Sequence, residues 1–177
     1  MIKLGAKELR TTSSTEDDKK GLKKNPIYII CDNILDTYNT GSIFRLADAV
    51  AAEKVYLCGI TETPPNTRIK KASINTTEWV SWTYLPTTLE AIHEIKNKNE
   101  NIKIVAIEQS EKSTPFDKAE YQFPIAFIVS NETTGAFQEV LDAADQIVEM
   151  PMFGVNKSLN VMVSLGIVLY QAIQKLK

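Results

Sequence analysis

The feature that most constrains the fold of this chain is a stretch near its carboxyl end, residues 145–176, which reads DQIVEMPMFGVNKSLNVMVSLGIVLYQAIQKL. Residues 146–150 have the apolar pattern of a short strand. Pro151 and Gly154 then form a loop, because proline cannot donate to a β ladder and glycine accepts the backbone angles of tight loops. The pattern therefore predicts a strand that passes through a tight loop directly into an apolar helix.

That helix is predicted over residues 159–169, with the Ser158 hydroxyl at its N-cap or in its first turn. Because few polar residues interrupt the apolar run, we expect the helix to be buried almost all round, with Gly166 allowing a neighbouring element to approach closely. Asn160 is then a polar amide in the first turn of a buried helix, where the lack of a partner would cost about 1–3 kcal/mol. We predict that its side chain faces a site.

Strands and helices alternate along the rest of the chain. The predicted strands are residues 27–31, 54–57, 80–84, 102–107, 123–129 and 146–150, and the predicted helices are residues 41–52, 87–98, 134–144 and 159–169. The strands are apolar on both faces, which is typical of a parallel sheet that is covered on both sides. The sequence therefore predicts an α/β fold with a mainly parallel sheet and helices on both faces.

The chain is long enough for one well-packed domain. Residues 1–24 contain few apolar side chains and are predicted to be an N-terminal arm, which leaves residues 25–177 as the domain. The formal net charge of −2 argues against a protein that coats nucleic acid by bulk charge. Two local basic clusters are nevertheless present, and each is either a nucleic-acid-binding patch or ordinary solvated surface. Their members are Lys19, Lys20, Lys23 and Lys24, and then Arg68, Lys70 and Lys71.

The composition also limits the compartment and the chemistry. No apolar run approaches the roughly 18 residues that a membrane span requires, and the amino-terminal residues lack the apolar centre of a signal peptide, so we expect a cytoplasmic protein with no membrane partner. Cys31 and Cys58 each follow an apolar run and are predicted to be buried thiols. With these two cysteines and His93 alone, no metal site is predicted, and His93 is expected at the surface of a helix.

In an open parallel sheet, ligands bind beyond the carboxyl ends of the strands. The residues that follow the predicted strands are Asp32, Asn33, Cys58, Gly59, Glu108, Gln109, residues 130–132 and residues 150–154. No Gly-x-Gly and no phosphate loop ending in Gly-Lys-Ser/Thr occurs in the sequence, which excludes the common dinucleotide fingerprint and P-loop enzymes.

The carboxyl-terminal residues MPMFGVNKSLNVMVSLGIVLYQ resemble the third motif of the SpoU (TrmH) family of SPOUT RNA methyltransferases. In that motif an aliphatic-Pro-Met and a glycine precede Ser-Leu-Asn-Val and an apolar helix. The residues DNILDTYNTGSIFRLADAV resemble the first motif, with matches at Asn33, Asn39 and Arg45.

The residues FIVSNETTGAF resemble the second motif of the same family. Asn131, Glu132 and Gly135 match it, whereas Ser130 and Thr133 stand where the family usually has glycines. The extra side chains at these two positions are expected to press on a bound cofactor. The resemblance extends from about residue 27 to the carboxyl terminus and is weakest in this motif.

The resemblance implies an enzyme that transfers a methyl group from S-adenosylmethionine to a ribose 2′-hydroxyl of tRNA or rRNA. It also implies a carboxyl-terminal trefoil knot and a homodimer. By position in the motifs, the catalytic residues would be Arg45, Glu132, Ser158 and Asn160. The adenosine part of the cofactor would be held by Ile107, Ser130, Met150, Ser158 and Leu159, and the RNA by Asn33, Asn39, Arg45, Lys70 and Lys71.

The sequence leaves two questions open. Arg45 would serve either as general base or as a cation that binds phosphate or stabilises the developing alkoxide, since arginine is normally protonated. The alternative to an enzyme is a catalytically silent RNA-binding or assembly protein that retains the knot. The altered second motif and the acidic composition motivate this alternative.

Overall fold

The computed structural model of the protein describes residue 15 and residues 21–176. Within these residues the strands are β1 (Asn25–Asp32), β2 (Ala52–Cys58), β3 (Trp82–Leu85), β4 (Lys103–Ile107), β5 (Thr114–Pro115), β6 (Ile125–Ser130) and β7 (Gln146–Glu149). The helices are α1 (Thr37–Ala49), α2 (Thr67–Ser73), α3 (Thr88–Lys98), α4 (Gln138–Ala143) and α5 (Val161–Ile173), with 3-10 turns at Thr76–Glu78 and Gln174–Leu176.

The strands form one sheet in the order β3-β2-β1-β6-β4-β7-β5, and every pairing in it is parallel. The predicted fold class, an α/β protein with a mainly parallel sheet, is confirmed. All the strands therefore end at the same edge of the sheet, where ligands bind in such folds. β7 lies between β4 and β5 although β5 precedes it in the chain. The trefoil knot stays a prediction.

An apolar core lies on each face of the sheet. On one face α1, α2 and α5 pack on the strands through side chains such as Phe44, Ile69 and Leu165. On the other face α3 and α4 do so through Ile95 and Val140. All six residues of β6 are buried, as expected for a central parallel strand covered on both sides. The prediction of helices on both faces is thus confirmed.

Several predicted boundaries shift by a few residues. α1 begins at Thr37, four residues before the predicted start, because the Asp36 carboxylate caps it by accepting a hydrogen bond from the Tyr38 backbone N–H. α4 is shorter than predicted, since the residues before it form the turn of the second motif. The short edge strand β5 was not predicted, because two residues carry no periodicity.

The last helix departs most from the sequence prediction. It begins at Val161, and its N-cap is Asn160, so the prediction of Ser158 as cap or first-turn residue is wrong. The expectation of a helix buried almost all round is also wrong, since Val163, Ile167 and Tyr170 are exposed. Asn160 itself is exposed rather than buried. These exposed apolar side chains form one face of α5, which we call the open face.

Other expectations concern the thiols, the histidine and the amino-terminal residues. Cys31 and Cys58 are free and buried, and His93 lies exposed on α3, as predicted. Residues 1–14 and 16–20, which include Lys19 and Lys20 and most of the predicted arm, lie outside the described residues. In the part of the chain that the structure describes, no helix is long and apolar enough to cross a membrane.

Candidate active site

A cavity of about 450 Å³ opens at the carboxyl edge of the sheet, where the loops after β4, β6 and β7 meet. Its volume lies within the range of about 300–1,000 Å³ that is usual for small-molecule sites. All the residues predicted to hold the cofactor line it, namely Ile107, Ser130, Met150, Ser158 and Leu159. Glu132 and Asn160 line it as well. The structure thus brings together residues of the second and third motifs.

A hydrogen-bonded chain of three side chains joins the motifs beside this cavity. The Glu132 carboxylate accepts a hydrogen bond from the Asn39 side-chain amide, with an Nδ2–Oε1 distance of 2.8 Å. The Asn39 amide oxygen in turn accepts one from Asn160 Nδ2 at 3.0 Å. Because Asn39 is buried, its amide needs these partners, and both of its polar atoms find them. First, second and third motifs are therefore in direct contact.

Glu132 is held as a carboxylate by this arrangement. Its two oxygens also accept backbone N–H groups just before α1, from Leu35 at 2.8 Å and from Asp36 at 3.1 Å. Partial burial alone would raise the pKa of Glu132, but the hydrogen bonds from Asn39, Leu35 and Asp36 favour the charged form and lower it below the usual value. The side chain therefore presents a fixed negative charge to the loops around it.

The second motif folds back on itself through Asn131. Its amide oxygen accepts the backbone N–H groups of Thr133 and Thr134 at 2.9 and 3.0 Å, and its Nδ2 donates to the Asn33 carbonyl at 2.9 Å. The Asn33 side chain is occupied in its own loop, where it donates to Asp32 and accepts from the Ile60 backbone N–H. Asn33 thus joins loops and, like Asn39 among the predicted site residues, borders neither the cavity nor the groove described next.

Arg45 lies in a separate groove of about 670 Å³, formed between α1 and α2. We call this the basic groove, and it is lined by Tyr38, Ser42, Arg45, Thr67, Lys70, Lys71, Ala72, Ile74 and Asn75. The structure therefore divides the predicted catalytic set, with Glu132, Ser158 and Asn160 at the cavity and Arg45 in the groove. Lys70 is paired with Glu78 at 3.4 Å, whereas the structure shows no ion pair for Arg45 or Lys71 with any described residue.

Gly41 allows the basic groove to form. A Cβ atom at this position would lie 2.6 Å from the Ala72 Cβ atom and 2.7 Å from the Ile69 carbonyl oxygen. Only a residue without a side chain lets α2 pack this closely against α1. The position of Lys70 and Lys71 near Arg45 thus depends on this glycine of the first motif. A glycine inside a predicted helix was the feature of the sequence that indicated such a close contact.

Glu108 and Gln109 belong to the cavity but were given no role from the sequence. The Glu108 carboxylate accepts the backbone N–H groups of Gln109 and Ala136, both at 3.0 Å. Gln109 Nε2 donates to the Lys157 carbonyl at 2.6 Å. These two side chains therefore tie together the loops of the β4 end, the second motif and the third motif. Their position directly after a buried strand was the feature of the sequence that placed them near a ligand site.

The departures from the second motif leave the cavity intact. Ser130 is only 7% exposed and lines the cavity, and the more exposed Thr133 lies at its rim. With both side chains present the cavity still measures about 450 Å³. The residues present therefore fit a bound nucleoside-sized ligand. In the described part of the chain, no cluster of histidine, cysteine and carboxylate side chains is suited to a metal ion.

The parallel sheet and the cavity where the motifs meet agree with the class that the motifs indicate, the SPOUT RNA methyltransferases, and comparison with known proteins identifies the family. Residues 26–170 match the model of the SpoU rRNA Methylase family. Because this match covers most of the chain, the protein belongs to that family, as the sequence motifs predicted.

Two relatives are both named tRNA (guanosine(18)-2′-O)-methyltransferase. The protein from Aquifex aeolicus is 30% identical over 156 residues, a match that covers 85% of this chain and 70% of that protein. The protein from Escherichia coli K12 is 29% identical over 154 residues, and the match covers 85% of this chain but only 64% of that protein. The chain thus spans about two thirds of the length of these enzymes.

Solved structures agree with the fold. The A. aeolicus TrmH/SpoU tRNA modifying enzyme superposes with a TM-score of 0.76 and 28% identity, covering 87% of this chain and 77% of that one. An AdoMet-bound rRNA methyltransferase from Sinorhizobium meliloti superposes with a TM-score of 0.78 and 24% identity, covering 88% and 59%. The enzyme class predicted from the sequence, an RNA ribose 2′-O-methyltransferase, is the class of the named relatives.

Proposed function

We propose that this chain transfers a methyl group from S-adenosylmethionine to a ribose 2′-hydroxyl of tRNA or rRNA. The observation that carries the proposal is the hydrogen-bonded chain Glu132–Asn39–Asn160 at the edge of the cavity. It joins the three motifs of a family whose named relatives methylate this hydroxyl of guanosine. The predicted domain, residues 25–177, and the arm, residues 1–24, are part of the proposal.

The cofactor would lie in the cavity at the carboxyl edge of the sheet. Ile107, Met150 and Leu159 supply apolar contacts for an adenine ring, and Ser130 and Ser158 supply hydroxyl groups. When bound, S-adenosylmethionine supplies a methyl group on a sulfonium, which an oxygen nucleophile attacks in line. The carbon–sulfur bond would break as the carbon–oxygen bond forms, which would leave S-adenosylhomocysteine, and the hydroxyl proton would pass to water or to a base.

Residues of the chain would position the ribose and stabilise the oxygen as it loses its proton. Glu132 is kept unprotonated by its hydrogen bonds and fixes Asn39, which in turn orients Asn160. Arg45 carries a positive charge that favours a developing alkoxide or a neighbouring phosphate. A general-base role for Arg45 would require a neutral guanidine.

The basic groove would bind the RNA backbone. Arg45, Lys70 and Lys71 line it together with the exposed ring of Tyr38, and cationic side chains interleaved with an aromatic ring are typical of RNA-binding surfaces. Transfer of labelled methyl groups to tRNA and to rRNA, measured separately, distinguishes the two substrates. The cytoplasmic location predicted from the sequence also remains part of this proposal.

The protein would act as a homodimer through the open face of α5. Val163, Ile167 and Tyr170 expose apolar surface there, which is costly in water and favours a partner surface. Light scattering at micromolar concentration should give the mass of two chains. Ile167→Lys should shift the mass to one chain, whereas Lys175→Ala, a change just beyond α5, should leave the dimer intact. A parental protein that is monomeric would contradict the dimer.

The assay for the proposal is transfer of labelled methyl groups to unmodified tRNA and, separately, to rRNA. We expect label in one of these pools with the parental protein, loss of label with Arg45→Ala, and retention with Lys118→Ala, which removes a positive charge from an exposed site away from the groove. RNA binding without cofactor binding and without label would instead favour the catalytically silent RNA-binding protein.

A further inference from the structure

The charge of the cofactor cavity is unbalanced. Glu108, Glu132 and Glu149 line it, whereas Lys157 is its one basic lining residue among those described. None of these three glutamates makes an ion pair with a described residue. Lys157 is exposed and its ammonium group donates to the Gly154 carbonyl at 3.2 Å. The wall of the cavity thus carries net negative charge.

Glu108 is the glutamate that the loops around the cavity hold most directly. Each of its carboxylate oxygens accepts one backbone N–H, from Gln109 and from Ala136. Gly135, with φ +66°, lets the second motif come so close that a Cβ atom there would lie 2.8 Å from Glu108 Oε2. The carboxylate is therefore fixed in place at the cavity wall, and each oxygen keeps a further lone pair.

A neighbouring side chain independently indicates that a ligand meets this wall. Glu108 and Ser130 follow or end the neighbouring strands β4 and β6, and both line the cavity. Ser130 is 93% buried, lines the cavity, and its hydroxyl has no hydrogen-bond partner among the described residues. Its hydroxyl therefore opens into the cavity with no protein partner in the described part of the chain and is free to bind a ligand there.

We infer that Glu108 makes the cavity selective for the sulfonium cofactor over its neutral product. The inference rests on the proposed function. S-adenosylmethionine carries one positive charge more than S-adenosylhomocysteine, and the two molecules otherwise share the adenosine and amino-acid groups. A fixed carboxylate in a partly buried wall attracts the sulfonium and gives no such attraction to the thioether. Glu108 thereby favours cofactor entry and product release, and it is a specificity residue that takes no part in the proton transfer.

The test compares ligand charges in one protein. Calorimetry at low salt would measure the affinities for S-adenosylmethionine, S-adenosylhomocysteine and sinefungin, an analogue with an ammonium group at the sulfonium position. Glu108→Gln should weaken both cationic ligands on the order of tenfold relative to S-adenosylhomocysteine. Glu108→Asp keeps the charge and should keep the ratio. Glu111→Gln removes the same charge from an exposed position outside the cavity and should change no ratio.

Each outcome separates the inference from the proposed function. If Glu108→Gln weakens all three ligands equally, the residue only shapes the loop and the inference is wrong while the enzyme assignment stands. If the parental protein binds none of them, the assignment fails and the inference with it. Should Glu108→Gln not fold, added salt must weaken parental binding of the cationic ligands more than that of S-adenosylhomocysteine, and equal weakening overturns the inference.

Discussion

The side-chain amide of Asn160 donates a hydrogen bond of 3.0 Å to the amide oxygen of Asn39, which lies 121 positions earlier in the chain. Asn160 also caps α5, since its Oδ1 accepts the backbone N–H groups of Met162 and Val163. One side chain thus fixes the start of the last helix and connects it with the first motif. The geometry of the site and the folding of the carboxyl-terminal segment depend on the same residue.

Substitutions at Asn160 should separate these two roles. Asn160→Ala removes the cap and the bond to Asn39, and should lower the free energy of unfolding by about 1 kcal/mol while the protein still folds. Asn160→Asp keeps the cap acceptor but has no N–H for the buried Asn39 amide oxygen, so its loss of stability should come from that unpaired oxygen and not from the cap. Both should lower methyl transfer on the order of 100-fold, because the site loses its alignment. Urea unfolding and the transfer assay measure the two effects, and parental transfer rates in Asn160→Asp would contradict the assignment.

Glu132 should make stability depend on pH in the acid range. Its pKa is lowered in the folded protein, so its contribution to stability is complete above the unfolded-state pKa of about 4.3 and is lost as the pH falls through the lower folded-state value. The difference in free energy of unfolding between the parental protein and Glu132→Gln should be constant near neutral pH and shrink in acid. Glu139→Gln, at an exposed glutamate of α4, is the control. A difference that stays constant in acid would refute the account.

Gly135 should resist substitution more than Gly154. A side chain at Gly135 requires φ +66° and meets the Glu108 carboxylate, whereas a Cβ at Gly154 meets no atom within 4 Å. Gly135→Ala should lower the free energy of unfolding by about 1 kcal/mol or more and weaken cofactor binding, because it displaces Glu108. Gly154→Ala should leave stability unchanged. Thermal unfolding of the two variants gives the comparison, and equal stability would argue against this packing of the second motif.

Lys71 should contribute to RNA binding through phosphate charge. Lys71 lines the basic groove and has no ion-pair partner in the described chain, so it is free to meet a phosphate. Lys71→Ala should weaken binding and reduce the slope of log K against log salt by about one. Lys118→Ala, at an exposed site away from the groove, should leave the slope unchanged. An unchanged slope in Lys71→Ala would remove this residue from the RNA surface.

Local pattern was sufficient for the fold class and for the residues around the cavity. Apolar strands that alternate with helices specify a parallel sheet, and the residues that follow β4, β6 and β7 meet because parallel strands end at one edge. The place of Ile107, Ser130 and Met150 at the cavity follows from that rule and from the motifs together.

Contacts between distant segments could not be predicted from the sequence. The apolar run after Ser158 suggested a helix start two residues early, because periodicity does not show that Asn160 caps the helix and reaches Asn39. Burial on all sides of α5 was overestimated, since an apolar face can serve a partner surface as well as a core. Arg45 was grouped with Glu132 by motif, while its helix face directs it to the basic groove.

The most direct test of the central claim is to identify the methylated atom. RNA incubated with the protein and S-adenosylmethionine would be digested to nucleosides and analysed by mass spectrometry. We expect a 2′-O-methylated nucleoside with the parental protein and on the order of 100-fold less of it with Asn160→Asp. A methyl group on a base, or no methylated nucleoside in either tRNA or rRNA despite cofactor binding, would contradict that claim.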